Sequence, residues 1–411
     1  MVNKNYLTTK LFNLTLRALI MLAKFLLIVY IGKYLTISFL GEYGLFVTTV
    51  TIAIFFLGMD FYTYNTRELI GQDKQIQLTF IRDQFIFHSL TYIVILPLLF
   101  IIFVFDIISY QYIFFFYFVL ILEHISQELY RLYTTLSMPV FANILLFLRT
   151  GIWVYIVILL WIYDIKDTKN LHTIYQSWII GSLFSIILGF GYLYKIYENN
   201  VFFGKINWKW ISKGLKVSIP FFIGTIAYKM IEFSDRYMID VYMSKSDVGI
   251  YTFFGSIANS MQSVVFVLVI MIFYPKLIEL YKNDKLEEFN LSVKQFFWEV
   301  LIYSIIVIIG IVIFIYPILY FLGKEEFVDS LSVLWILLGA TLVLNLSFVP
   351  HYILFVKHKD IVIRNITLIG AGLNIGLNIF LIPLYGIVGA SIATFFSFIM
   401  IFSFKGFYIE R

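Results

Sequence analysis

Cysteine does not occur anywhere in the 411 residues, which excludes disulfides, thiolate-bound metals and a thiol nucleophile. Charge is scarce as well, since Asp, Glu, Lys and Arg make up only 13% of the chain, about half of ordinary soluble usage. Histidine is found five times, and no second histidine stands at ligand spacing, so His88 and His351 read as local hydrogen-bonding groups and no metal is expected. Gly-x-Ser-x-Gly elbows, Walker loops, Gly-rich nucleotide fingerprints and His-Glu-x-x-His are all missing, and with them the common signatures of enzyme chemistry.

What remains is apolar. Hydrophobic residues are 61% of the chain and aromatic residues 20%, far beyond a soluble fold. The apolar runs have the roughly 20-residue length that crosses a bilayer as helix, and they lack the alternation of outer-membrane barrel strands. An all-α integral membrane protein follows, with about twelve spanning helices. They fall near 11–31, 42–64, 83–105, 110–130, 141–162, 174–195, 217–240, 248–274, 295–319, 328–350, 362–383 and 386–405. The first span is too long for a signal-peptide core and has no small-x-small cleavage site after it, so it is expected to be retained.

Lys and Arg set the orientation, because cytoplasmic loops carry the excess. Lys33, Lys166, Lys169, Lys245 and Lys324 lie on one side, and Arg17, Lys24, Arg149, Lys229 and Arg236 sit at membrane depth. The other 20 of the 30 basic residues, from Lys4 and Lys10 to Arg411, share the opposite side. Both termini are therefore expected in the cytoplasm. The formal charge of +5 is explained by this topology, and no basic face large enough for nucleic acid gathers outside the membrane.

The longest polar connection, Lys195–Lys216, divides the spans six and six. The expected organisation is an N-terminal bundle over 1–195, a cytoplasmic amphipathic linker over 196–216 and a C-terminal bundle over 217–411. Trp208 and Trp210 interleaved with Lys205, Lys209 and Lys213 suit a short helix in the headgroup layer. The halves also resemble each other. A shift of 205 residues aligns FLGEYGLFVTTVTIA with SKSDVGIYTFFGSIA, Gly44 with Gly249, and Lys24 with Lys229. Two parallel repeats would place the two lysines across one central cleft.

Ionisable side chains at membrane depth cost several kcal/mol and mark functional sites by default. Within KMIEFSDRYMID, Lys229, Glu232, Arg236 and Asp240 share an arc of roughly 80°, with Asp235 off to one side. Their i,i+3 and i,i+4 spacing allows Lys229–Glu232, Glu232–Arg236 and Arg236–Asp240 to neutralise one another. The first helix differs, since Lys10, Asn13, Arg17 and Lys24 form a stripe with no acid between them. Two readings of that stripe stand: an anion-binding face, or pairing with acids on other helices. Asp60 and Glu123 are candidate carriers of a coupling proton or cation, as are Glu232, Asp235 and Asp240. His124, Glu128 and Arg131 share one face of the fourth span, where pairing and snorkelling suffice.

Near the C-terminus stands NIGLNIFLIPLYGIVGASIAT, Asn374 to Thr394. It resembles the N-x-x-x-N-x-x-L-I-P-x-Y-G-x-x-G-A-x-x-A-T signature of polysaccharide-export flippases of the multidrug/oligosaccharidyl-lipid/polysaccharide superfamily. Leu40–Phe46, Asp235–Ile239 and Asp247–Tyr251 are similar to that family too. The resemblance implies two pseudo-symmetric six-helix bundles around a central cavity, alternating between inward-open and outward-open states. The implied activity is transfer of a polyprenyl-diphosphate-linked oligosaccharide (an O-antigen or capsule repeat unit) across a bacterial cytoplasmic membrane. A repeat-unit polymerase and chain-length machinery are the implied partners besides membrane lipid, and H+ or Na+ the implied coupling ion. Basic residues on helices 1 and 7 of the family map onto Arg17, Lys24, Lys229 and Arg236. Lipid II exporters typically carry an Arg early in helix 8, where this chain has Phe253-Phe-Gly-Ser256, so that cargo fits less well. A cation-coupled drug exporter of the same fold would favour an acidic cavity, and a membrane polymerase would need a longer outer loop than any here.

Overall fold

Apolar runs this long leave the backbone no hydrogen-bond partner except itself, and helix is the only open-chain solution in lipid. The computed structural model describes residues 4–197 and 204–409, and all of their side chains except those of 4–8 and 10. Lys4, Lys10, Arg411 and linker residues 198–203 thus lie outside the described residues or side chains. The longer helices are α1 (Lys4–Tyr34), α2 (Ile37–Gly58), α3 (Phe61–Leu69), α4 (Lys74–Leu98), α5 (Ile113–Thr135), α6 (Pro139–Phe147), α7 (Trp153–Ile162), α8 (Leu171–Ile196), α9 (Trp208–Tyr242), α10 (Lys245–Val265), α11 (Met271–Lys282), α12 (Leu286–Leu322), α13 (Leu331–Val356) and α14 (Asp360–Phe407). Single π-helical segments, Leu148–Ile152 and Phe266–Ile270, join α6 to α7 and α10 to α11 within one span each.

Among the described residues, eleven helical stretches are long and apolar enough to cross a membrane. The last is two spans. At 48 residues it would be about 72 Å long, more than twice the hydrocarbon thickness. It folds back at Gly386, whose φ of 59° and ψ of −141° are non-helical and open to glycine alone. Gly389 then packs so tightly on the returning chain that a Cβ there would lie 2.1 Å from the Leu381 carbonyl oxygen. The expected turn and twelve spans therefore stand. Several helices run further than their apolar cores: α9 begins at Trp208, ahead of the expected 217. The stretch expected to be a separate headgroup helix is the first turns of α9. Trp210 is buried there, stacked on Phe80 at 4.8 Å and packed on Phe61 and Tyr64, while Trp208 is exposed. Aromatic burial outweighs interfacial anchoring for one of the two tryptophans.

Packing divides the chain into two compact units, 1–30 with 45–226 and 31–44 with 227–411. The boundaries fall inside α1, α2 and α9 rather than in the polar linker. In the first unit, Leu129, Tyr133, Leu145 and Leu193 form one core, and Phe61, Phe87 and Trp210 another. In the second, Val265, Phe273, Phe296 and Val349 pack together, with Ile231, Ala340, Phe398 and Ile401 as a neighbouring cluster.

Within the second unit, the start of α2 crosses the start of α10 backbone to backbone. A Cβ on Gly41 would sit 1.8 Å from the Lys245 carbonyl oxygen, and one on Gly249 would sit 2.2 Å from that of Ile37. The contact is reciprocal. α1 ends at Tyr34 and α9 at Tyr242, while α2 begins at Ile37 and α10 at Lys245, so both boundaries are offset by 208 residues. The expected shift of 205 is off by three. Three residues are nearly one helical turn, so similar residue types still matched. In the structural register Lys24 corresponds to Glu232, not to Lys229, and Gly41 rather than Gly44 to Gly249.

Because neither Gly41 nor Gly249 has room for a methyl, replacing either by Ala is expected to cost more than about 3 kcal/mol. Gly372→Ala and Gly376→Ala, where a Cβ meets nothing within 4 Å, are the controls and should stay within about 0.5 kcal/mol of wild type. Thermal unfolding of the four purified variants checks this. Equal stability across the set would refute the crossing.

Candidate functional site

An acid in the middle of a spanning helix needs donors, and Asp235 on α9 has collected them from three other helical segments. Asn378 Nδ2 donates to its Oδ1 and Thr394 Oγ1 to its Oδ2, each at 2.7 Å, and the Tyr251 hydroxyl also donates to Oδ2. Asn378 and Thr394 come from the two arms of the α14 hairpin, and Tyr251 from α10. Asn374 extends the network: its Oδ1 accepts from Asn378 Nδ2 at 3.1 Å and from Ser234 Oγ at 3.0 Å. All but Ser234 are buried, and Asn378 Oδ1 has no partner. No cation from the protein neutralises the carboxylate within salt-bridge distance, among the described residues. The result is one buried acid whose hydrogen bonds all come from neutral hydroxyl and amide donors.

Beside it opens a small pocket of about 40 Å³ within the second unit, lined by Glu232, Asp235, Arg236, Asn259, Gln262 and Thr394 among others. Lys229 pairs with Glu232 at 2.6 Å as expected. The other two expected pairs are not made. Arg236 is buried, donating from NH1 to the Glu232 carbonyl oxygen at 3.1 Å and from Nε to Thr252 Oγ1 at 3.3 Å. Asp240 instead lies 3.6 Å from Lys245, at the start of α10. A backbone carbonyl of α9 itself and a hydroxyl from α10 compete with the i,i+4 carboxylates, and helical spacing alone cannot register the second.

In the first unit, Arg17 is half-buried and its Nε donates to Asn143 Oδ1 at 3.4 Å, while Asn143 Nδ2 donates to Asn13 Oδ1 at 2.9 Å. Lys24, two turns further along α1, has an exposed side chain. Glu123 is buried, 3.2 Å from Arg149 Nε, and accepts from Trp178 Nε1 at 2.9 Å. This places it in a structural ion pair. The π-helical segment at Leu148–Ile152 contributes, since the Arg149 carbonyl accepts from Trp153 Nε1 at 2.8 Å.

Asp60 sits in the tight turn between α2 and α3, buried, with its backbone in the left-handed region at φ 50°. Burial raises its carboxyl above the ordinary value, while a hydrogen bond from Thr225 and the Arg131 charge oppose the rise. Sequence reasoning singled out Asp60 and Asp235, quoted Tyr251 only within a family stretch, and missed the packing of the His88 ring on that of His124, 4.8 Å apart. It quoted Asn374, Asn378 and Thr394 only as a signature. The i,i+4 spacing of the two asparagines was the available signal that both face one partner.

Comparison with known proteins adds four findings. A family model described as polysaccharide biosynthesis protein matches residues 8–281, and no curated protein matches the chain. A solved lipid II flippase MurJ, in an inward closed conformation, superimposes with a TM-score of 0.71 at 14% identity, covering 98% of this chain and 88% of that one. An inward-facing multidrug resistance MATE family transporter of the MOP superfamily superimposes with a TM-score of 0.67 at 13% identity, covering 95% and 94%. At these identities the two structures establish the fold.

Since burial raises the Asp60 carboxyl, the folded protein keeps that proton to higher pH than the unfolded chain. The associated stability is full below the ordinary carboxylate value and is lost as pH climbs through the raised one. Asp60→Asn is therefore expected to unfold at a higher temperature than wild type near about pH 7 and to converge with it near about pH 4. Thermal scans across that range decide it, and a variant less stable at neutral pH would show that the ionised form is favoured instead.

Proposed function

Given that the chain belongs to the polysaccharide biosynthesis protein family, its model covering residues 8–281 of 411, we propose that it is a flippase for a lipid-linked oligosaccharide. The cargo is a polyprenyl-diphosphate-linked repeat unit, moved from the inner to the outer leaflet of a bacterial cytoplasmic membrane by alternating access. It serves the synthesis of a surface polysaccharide such as O-antigen or capsule, and a polymerase with its chain-length machinery would receive the product. The observation that carries this reading is the pairing of that family with cations on α1. Lys24 is exposed at the middle of a membrane-spanning helix, where an ammonium is stable only against water or an anion. A diphosphate headgroup loses its hydration on entering the membrane, and Lys24 with Arg17 would replace part of it through charge-assisted hydrogen bonds. Within the second unit, Arg236, which lines the pocket, and Lys229, paired with Glu232, are further cations that an anionic headgroup could meet. Phe253 and Phe254, in place of a helix-8 arginine, are buried and packed on Phe327. That favours a repeat unit over a peptidoglycan precursor.

Coupling is assigned to Asp235. Its carboxylate is bonded by neutral groups alone, which leaves its charge to be balanced by a coupling sodium ion; a proton on the Asp235 carboxylate is the competing form of the same site. Glu232, Asp240, Glu123 and Asp60 have cationic or structural partners and are left supporting parts.

In cells, Lys24→Ala at normal membrane abundance is expected to abolish surface polymer and to leave lipid-linked repeat units in the inner leaflet; undiminished polymer would sink the cargo assignment. In proteoliposomes, Asp235→Asn is expected to remove the dependence of diphosphate-lipid transfer on a sodium or proton gradient. Running the two gradients separately identifies the ion, and a gradient response that survives the substitution moves coupling elsewhere. A cationic dye carried in place of the diphosphate lipid would mark a drug exporter.

A further inference from the structure

The first unit contains a second buried polar cluster, where α3, α4 and α5 meet, that cargo binding and coupling at Asp235 leave unused. Glu128 is its centre: Arg131 NH1 donates to Oε1 at 2.6 Å and Gln84 Nε2 to Oε2 at 2.6 Å, with Asn65 donating in turn to Gln84 Oε1. On the other side, Tyr92 OH and His124 Nδ1 are hydrogen-bonded at 2.7 Å, and the His124 ring lies 4.8 Å from that of His88. Both imidazoles are buried. His124 Nε2 and both ring nitrogens of His88 have no hydrogen-bond partner. A neutral imidazole keeps a lone pair on one ring nitrogen, and on these two touching rings such a nitrogen can stand with no donor against it, among the described residues. Among the described residues no group of three potential ligands is placed to hold a metal.

The surroundings bear on such a lone pair. His124 Nε2 faces Glu128 Oε1 across 4.0 Å, just beyond hydrogen-bond length. Gly58 borders that gap, and a methyl there would lie 3.0 Å from Nε2 and 3.8 Å from Oε1. A side chain at position 58 would crowd the facing atoms. The next two residues, Met59 and Asp60, both have positive φ, 46° and 50°, a conformation that costs roughly 1 kcal/mol or more for each non-glycine residue. This strained turn brings the buried Asp60 carboxyl within electrostatic reach of Arg131 and Glu128. Tyr62, just after it, lies 3.7 Å beneath the Arg131 guanidinium.

We propose that this cluster is a proton-binding site of the first unit, in which the His88–His124 pair takes up one proton and Glu128 exchanges partners in response. The charged and titratable groups facing the pair are Tyr92 from α4 and Glu128 and Arg131 from α5, with Asp60 and Tyr62 set against Arg131. With Nδ1–H donated to Tyr92, the lone pair on His124 Nε2 accepts a proton from solvent, and the new N–H closes the gap to Glu128 Oε1. Glu128 then satisfies an imidazolium, and Arg131 is released toward Asp60. His88, in contact, cannot ionise at the same time, because two adjacent imidazolium ions would repel.

The test reads protonation directly and needs no cargo, so it stands or falls apart from the transport assignment. Full-length protein labelled with ¹⁵N-histidine is placed in lipid bilayers and its imidazole resonances are followed by solid-state NMR from about pH 8 to about pH 5. The His88 and His124 signals are assigned with His88→Gln and His124→Gln. The expected result is that the pair together passes from neutral to singly protonated, with a midpoint that Glu128→Gln lowers by about one pH unit, a tenfold change in proton affinity. Gly58→Ala, which keeps every titratable group but fills the gap, should lower the midpoint in the same direction, and serves alone if Glu128→Gln does not fold. Two rings that stay neutral throughout, or a midpoint that neither substitution moves, would overturn the proposal and leave a structural pair.

Discussion

An ion has almost no place in hydrocarbon, and that constraint orders the polar interior of both units. Several kcal/mol separate a bare charge at membrane depth from a satisfied one, so every buried acid here is held, and each is held differently. Glu123 has a direct cationic partner in Arg149. Glu128 shares its two oxygens between a cation and an amide. Asp235 has neutral donors only. The distinction matters because a carboxylate already bonded to a guanidinium offers little to an incoming ion, whereas one surrounded by hydroxyl and amide groups keeps its charge available. The arrangement of donors, more than the presence of acids, distinguishes the carboxylates of this chain from one another.

How much of this could be read beforehand follows the range of the interactions. Twelve spans and the reversal at Gly386 were legible, because they depend on local run length and on the one residue tolerant of positive φ. Lys229–Glu232 was legible, being three residues apart on one helix. Arg236 was not, since its acceptors include Thr252, which nothing in the spacing of α9 reveals. His88 and His124 are thirty-six residues apart on separate helices, and only packing shows that they touch. The internal repeat was seen but misregistered by three residues, since the residue pattern repeats with the helical turn and only the helix boundaries fix the phase.

The two units thus carry different polar chemistry on related scaffolds. In the second, a hairpin of α14 supplies amide and hydroxyl groups to an acid on α9. In the first, a strained turn after α2 brings an acid toward an arginine and a glutamate. Each is built within one unit, from helices that pack tightly on one another. Glycine is the common structural device. Gly41 and Gly249 let two helices meet through their backbones, and Gly58 leaves room between a nitrogen and an oxygen.

The Gly386 turn bears on biogenesis as well. No Asp, Glu, Lys or Arg stands between Arg364 and Lys405, and the turn that reverses the chain is a single glycine with no polar loop. Nothing in those forty residues anchors to an aqueous phase, so the two final spans have no charged segment to carry across the bilayer and can partition into it together as a preassembled pair. Their orientation is then decided by the flanking cations alone, and the asparagines and threonine that cradle Asp235 enter the membrane already side by side.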